Sequence, residues 1–176
     1  MSDAIDLQVA GAELAAQRRA LVSLWVAVTE AGGAVGFRPP VDAATVTPAV
    51  EELLRELAAG TSAAIVARDG HGAIIGLVVV TPGRSPRRAH VVTLRRLMVH
   101  PHREGEGLGA RLVGAAHRLA VDRYAAELAL VEVRDGTGVE RFYGRLGYRS
   151  IGTIPGGLAF EDGDRVDELL LLRELR

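Results

Sequence analysis

Glu132, in the stretch LALVEVRDG, stands alone among apolar, strand-forming residues. A carboxylate there costs free energy unless it meets water, finds a partner or does chemical work. Three readings follow: an exposed strand side, a pair with Arg134, or a general base. Tyr143, in ERFYGRLGY, lies in a short helical stretch. Its phenol either packs as one more aromatic ring or serves as a general acid. Between them in chemical interest is HREGEGLGARLV, where Gly105, Gly107 and Gly109, with Gly114 a turn later, stand where a strand would run into a helix. Such a junction gathers unpaired N–H groups and the positive end of a helix dipole, so it is either an anion site or a turn. Glycine suits the first reading because a Cβ would hinder both close approach and the positive φ values that aim amides inward.

The loop also carries Glu104 and Glu106. At about 7 Å from a phosphate charge, each would cost roughly 2 kcal/mol at an effective dielectric of about 20, and a few tenths when solvated. Both are therefore expected to point outward, unless an anion is held mainly elsewhere, and Arg103 can offset part of the repulsion. No Gly-Lys-Ser/Thr follows, and the spacing is not that of a dinucleotide-binding turn. His100 and His102 have the spacing of two ligands, but Pro101 interrupts them and no third ligand is near, so no metal is expected. Arg84, Arg87 and Arg88 read as a solvated loop.

The elements that must position these groups alternate in type. Ile5 to Val9 reads as a strand, and Leu14 to Val28 as a helix stopped by Ala31-Gly32-Gly33. A second helix is expected from Thr47 as N-cap with Pro48 at N1, ending at Gly60. Ala63 to Ala67 and Ala73 to Thr81 form a hairpin around Asp69-Gly70-His71-Gly72. Val91 to Val99 is the strand before the glycine loop. Leu108, Leu112, Ala115, Ala116 and Leu119 make one apolar helical face after it. Then come strand Leu128 to Val133, helix Val139 to Leu146, and strands Tyr148 to Ile154 and Val166 to Leu172. The order βααβββαβαββ implies an α/β or α+β domain.

Length and composition narrow the functions. With 176 residues, 48% of them hydrophobic, the chain is expected to form a single domain over residues 1–176. A net charge of −1 excludes the strongly basic balance of a nucleic-acid binder. All basic residues are Arg, with no Lys or Asn, a compositional bias that argues against over-reading single arginines. The absence of Cys removes disulfides, thiolate metal sites and Cys nucleophiles together. No apolar run approaches membrane-spanning length and the first residues lack a secretory pattern, so a cytoplasmic protein without membrane attachment is expected.

LRRLMVHPHREGEGLGARLV followed by LVEVRDGTGVERFYGRLGYRSIGTIPG resembles the acyl-CoA-binding core of the GNAT superfamily of N-acetyltransferases. EAGGAVGFRP, IGTIPGG and EDGDRV extend the resemblance to the tabtoxin-resistance acetyltransferases and related small-molecule acetyltransferases. The resemblance implies a mixed, mostly antiparallel sheet of six to seven strands with about four helices on both faces. Strands Val91 to Val99 and Leu128 to Val133 would be its parallel neighbours. It implies acetyl-CoA as acyl donor, bound by main-chain amides of Leu97, Met98 and Val99 and, at the pyrophosphate, by Gly105, Glu106, Gly107, Leu108, Gly109 and Ala110. Glu132 matches the base that deprotonates the amine, directly or through water, and Tyr143 the acid that protonates the leaving thiolate. The acceptor would be a primary amine of a small molecule, walled by Gly32 to Phe37 and the Pro155 to Gly163 turn. Alternatives are acetylation of protein N-termini or lysines, and a CoA-sensing module without turnover. Homodimers are common among such relatives. Three departures stand out: Glu104 occupies the Gln/Arg place of the family's loop pattern, Gly136 stands near a missing asparagine, and Gly157 replaces an aromatic residue.

Overall fold

The computed structural model describes residues 5–160 and 162–176. The elements are β1 (Asp6–Ala10), α1 (Arg18–Glu30), α2 (Ala43–Ala58), β2 (Ala63–Arg68), β3 (Ile74–Pro82) and β4 (Val91–Val99). They continue with α3 (Leu108–Tyr124), β5 (Leu128–Arg134), α4 (Val139–Arg145), β6 (Arg149–Ala159) and β7 (Arg165–Glu174). This is the expected order. The strands make one seven-stranded sheet, β1-β2-β3-β4-β5-β7-β6, antiparallel at every step except β4–β5.

Helices cover the two faces separately. On one face α1 and α2 bury Leu21, Trp25, Val46, Val50, Leu53 and Leu57 against Val66, Leu77 and Val79 of the sheet. On the other, α3 and α4 bury Leu108, Leu112, Ala116 and Tyr143 against Val78, Val92, Val131 and Val133. Strands β2 and β3 are buried on both faces and read as unbroken apolar runs. At about 25 cal/mol per Å², each such side chain taken out of water contributes roughly 1.5–3 kcal/mol. Beyond β4 no helix among the described residues lies over the first face. The outward side of β5, carrying Glu132 and Arg134, is left open there.

Several boundaries differ from the sequence expectation. The second helix starts five residues earlier than Thr47–Pro48 suggested, at Ala43. Asp42 is its N-cap, its carboxylate accepting from the Thr45 N–H at 2.8 Å and the Thr45 hydroxyl at 2.8 Å. Pro48 lies inside the helix, past its first turn, where it leaves the Ala44 carbonyl without its i→i−4 donor. The first helix is preceded by a 3-10 segment, Ala12–Gln17, which places Leu14 in the core without continuing the α period. Strand β6 runs on to Ala159, so Pro155 and Gly157 belong to a bulged strand rather than to a turn. Glu161, expected within that turn, lies outside the described residues.

Candidate active site

The site begins with a fault in β4. Leu77 of β3 pairs with Met98 and Val79 with Arg95, so two steps on β3 face three on β4. The extra residue is taken up at Arg96, whose φ of 56° is left-handed although it is not glycine. One added residue reverses which side chains face which side. Val92 and Leu94 accordingly sit in the α3 core, whereas Met98 sits in the α1–α2 core.

The bulge also ends the pairing of the parallel strands. The β4–β5 register stops at Leu94 with Val131, while β5 keeps pairing with β7 as far as Arg134 with Glu168. Past that point Leu97, Met98 and Val99 belong to a strand paired on its β3 side, and the edge towards β5 opens into a cleft. Met98 is 1% exposed, so only its main chain can serve a ligand.

A cleft of about 250 Å³ occupies this opening, with Leu97, Val99, Glu132 and Tyr143 on its walls. Glu104 and Gly109 stand at the end where it meets a wider cleft of about 660 Å³, which holds Gly105, Gly107, Leu108 and Ala110. A third lobe of about 240 Å³ shares Arg95, Arg96 and Glu132 and extends to Arg134, Phe160 and Glu168. The structure thus brings Glu132, Tyr143 and the glycine loop to one continuous depression. Of the expected acceptor walls, Ala34, Val35 and Gly36 line the lobes, as do Leu158, Ala159 and Phe160.

Glu132 is exposed on β5, while Val131 and Val133 beside it are buried on the opposite face. The expectation that Arg134 might pair with it is not met: among the described residues no carboxylate lies within ion-pair distance of Arg134. Tyr143 is 4% exposed, and burial pushes its phenol well above the usual range, so the hydroxyl stays protonated. Its ring meets Phe142 and Tyr148 edge to face at 5.1 and 5.2 Å. Behind it the Tyr148 hydroxyl lies 2.8 Å from His117 Nε2.

The glycine loop runs into the N-terminus of α3. Gly105 (φ 79°) and Gly107 (φ 75°) are both left-handed, and a Cβ on either would face open space, so the backbone angle is what requires glycine. Their main chain forms part of the wide cleft's wall. This is a surface that an extended, phosphate-bearing group fits. The two glutamates part company. Glu106 accepts from Arg103 Nε at 3.0 Å and its side chain does not line the cleft, as expected for an outward residue. Glu104 does line it, against the expectation that both turn away. His100 and His102 stack at 5.2 Å, and no group of three metal-ligating side chains occurs among the described residues.

Glu168, Arg96 and the open position of Arg134 were not singled out from sequence. Glu168 comes from the last strand, and nothing local to DRVDELL says that it will stand across from Arg134. Burial, and then the charge of Glu132, raises the Glu168 carboxyl above its ordinary value.

With this geometry in place, the comparisons are consistent. The family described as the acetyltransferase (GNAT) domain matches residues 60–150, more than half of the chain and the whole span from β2 to the start of β6. The chain belongs to this family, and it is an acetyl-CoA-dependent acetyltransferase. A protein provisionally named a phosphinothricin N-acetyltransferase is 18% identical, with a TM-score of 0.76 over 98% of this chain and 99% of that one. The protein YncA of Salmonella typhimurium, provisionally named an acetyltransferase and solved with acetyl-CoA, is 17% identical, with a TM-score of 0.72 over 98% and 95%. Ribosomal-protein-alanine N-acetyltransferase from Brucella melitensis is 19% identical, with a TM-score of 0.72 over 96% and 99%. These likenesses are likenesses of fold.

Proposed function

We propose that residues 1–176 form one domain that transfers the acetyl group of acetyl-CoA directly to a primary amine of a small molecule, with Glu132 as general base and Tyr143 as general acid. The observation that carries this reading is that Glu132 and Tyr143 line the same cleft, at the point where β4 parts from β5. The co-substrate supplies a thioester whose carbonyl carbon accepts the amine and whose sulfur leaves. Everything else falls to the chain. An ammonium has no lone pair, so Glu132 must take a proton before a C–N bond can form. As the C–S bond breaks, the protonated Tyr143 phenol donates to the departing sulfur. Main-chain N–H groups of Leu97, Met98 and Val99, on the edge that β5 no longer pairs, hold the pantetheine arm and the negative charge growing on the carbonyl oxygen. Those of Gly105, Glu106, Gly107, Leu108, Gly109 and Ala110 hold the pyrophosphate.

A small acceptor is favoured by the size of the two inner lobes, each about 250 Å³ or less, and by Phe160 closing one end. A thiol-release assay with acetyl-CoA over small amines and N-terminal peptides tests this. Turnover confined to peptides selects the protein-acetylating alternative. No turnover, together with thermal stabilisation by CoA, selects the sensor.

A further inference from the structure

Burial of Leu94 on the α3 side and of Met98 on the α1–α2 side requires one extra residue between them, but it does not say which. A left-handed φ is unfavourable for a residue with a Cβ and persists only where its surroundings over-determine it. Something must therefore place the bulge at Arg96 rather than at Arg95 or Leu97.

Two consecutive side chains do so. Neighbours on a regular strand point to opposite faces, yet Arg95 and Arg96 both reach the α1–α2 side. Arg95 Nη2 donates to Glu56 Oε2 of α2 at 2.5 Å, and its Nε donates to the Thr81 hydroxyl of β3 at 3.0 Å. Ser62, buried just before β2, closes the set, 3.1 Å from Glu56 and 2.9 Å from Thr81. Arg96 lies over the Trp25 ring of α1 at 4.8 Å. With the extra residue at Leu97, Arg96 would turn into the α3 core. With it at Arg95, that residue would lose its place opposite Val79, and its guanidinium would leave Thr81 and a Glu56 carboxylate whose side chain is only 14% exposed. A carboxylate stranded there is costly, so the ion pair pins the bulge.

We propose that Glu56 and Arg95 are positioning residues for acetyl transfer: from the α1–α2 side they fix which residue of β4 is bulged, and so where Leu97, Met98 and Val99 present their main chain to the thioester. A slip of one residue moves that edge by about 3.3 Å along the strand, against a tolerance of about 0.5 Å for donors aimed at a growing charge. Glu56 itself lines none of the clefts described above, so any effect it has on the chemistry passes through Arg95 and the strand. The proposal rests on the reading that the main chain of Leu97 to Val99 holds the thioester, but the position of the bulge can be tested apart from it.

The test compares Glu56→Ala with Glu56→Gln, whose side-chain carbonyl still accepts from Arg95. Glu56→Ala is expected to lower kcat about 10- to 100-fold, as loss of a charge-assisted contact and of an aligned oxyanion donor implies. Affinity for CoA, which has no thioester carbonyl and is held by the glycine loop, is expected to stay unchanged. Glu56→Gln is expected to recover most of the lost kcat. Wild-type kcat in Glu56→Ala with only a lower melting temperature overturns the proposal, and so does a parallel loss of kcat and CoA affinity in the folded variant. Thr81→Val keeps its side chain's shape, removes the other partner of Arg95 and makes the same test should Glu56→Ala not fold; a fall in kcat of about threefold is expected. Backbone carbon and nitrogen NMR shifts of Arg95 to Val99 need no turnover. They are expected to lose the left-handed signature at Arg96 in Glu56→Ala. Shifts that stay as in the wild type remove the pin whatever the assay shows. Shifts that move in a protein that acetylates nothing support the pin and remove the transfer reading.

Discussion

Tyr143 and Tyr148 meet edge to face, 5.2 Å between ring centroids and 71° between planes, and Tyr148 is in turn held by His117 at 2.8 Å. The phenol assigned the proton donation is therefore fixed by a second aromatic ring whose own hydroxyl is fixed from α3. Tyr143→Phe keeps the ring and its contacts and removes only the hydroxyl. Turnover is expected to fall about 100-fold or more with little change in melting temperature. Because burial keeps the phenol protonated well above its ordinary value, no loss of activity between pH 7 and 9 should trace to Tyr143. Wild-type kcat in the Phe variant across that range would remove it as the acid.

The same arrangement makes His117 a stability sensor. Burial, and then the charge of Arg173, pulls its imidazole down from 6.5 to about 4. Between those values the unfolded chain holds a proton that the folded chain does not, so this contribution to stability is complete above pH 6.5 and lost as pH falls towards 4. The slope is at most about 1.4 kcal/mol per pH unit, and shallower here because the ring is partly solvated. His117→Gln can still reach the Tyr148 hydroxyl but cannot titrate. Urea midpoints at pH 4.5 and 7 should therefore differ less for the variant than for the wild type, and an equal difference would show that His117 does not carry the effect.

Most of the element order was legible because periodicity and turn residues act locally. Val46, Val50, Leu53 and Leu57 repeat on a helical period, and the Asp69–Gly72 turn sits between two apolar runs, whatever the rest of the chain does. Thr47–Pro48 misled because it is a valid helix start in isolation, and Asp42 with Thr45 outcompeted it by satisfying the first turn directly. The bulge at Arg96 carries no glycine or proline to announce it; it arises from the demand that both Leu94 and Met98 be buried, on opposite faces. Glu168 and Arg134 join the site only through the β5–β7 register, a long-range pairing that no local pattern encodes. Glu132 and Tyr143 stand out in the sequence for different reasons: a carboxylate within an apolar strand contradicts its surroundings, whereas Tyr143 beside Phe142 reads as packing until the resemblance to the family gives its hydroxyl a role.

Glu132→Gln should lower turnover about 100-fold near neutral pH, where the acceptor is an ammonium. The deficit should shrink as the pH approaches that of an alkylamine's own ionisation, about 10, because the free base then arrives without help. A pH-rate profile in which wild type and variant stay parallel up to pH 9.5 would show that Glu132 is not the proton acceptor. The substitution leaves the fold intact because the side chain is exposed and makes no ion pair among the described residues.

Glu104 is the carboxylate that remains at odds with an anionic co-substrate. Glu106 is neutralised by Arg103, but Glu104 lines both the inner cleft and the glycine-loop cleft. It is exposed, so its repulsion of a phosphate is screened by water, and the cost is a few tenths of a kcal/mol rather than the roughly 2 kcal/mol of a desolvated pair. Glu104→Gln should therefore tighten acetyl-CoA binding by about twofold to threefold at low ionic strength, and the gain should vanish near 0.5 M salt as the screening length shortens to about 4 Å. Calorimetric titration at two salt concentrations decides it. A gain that survives high salt would mean that the glutamate obstructs the cleft sterically, and weaker binding in the variant would mean that its carboxylate accepts a hydrogen bond from the co-substrate.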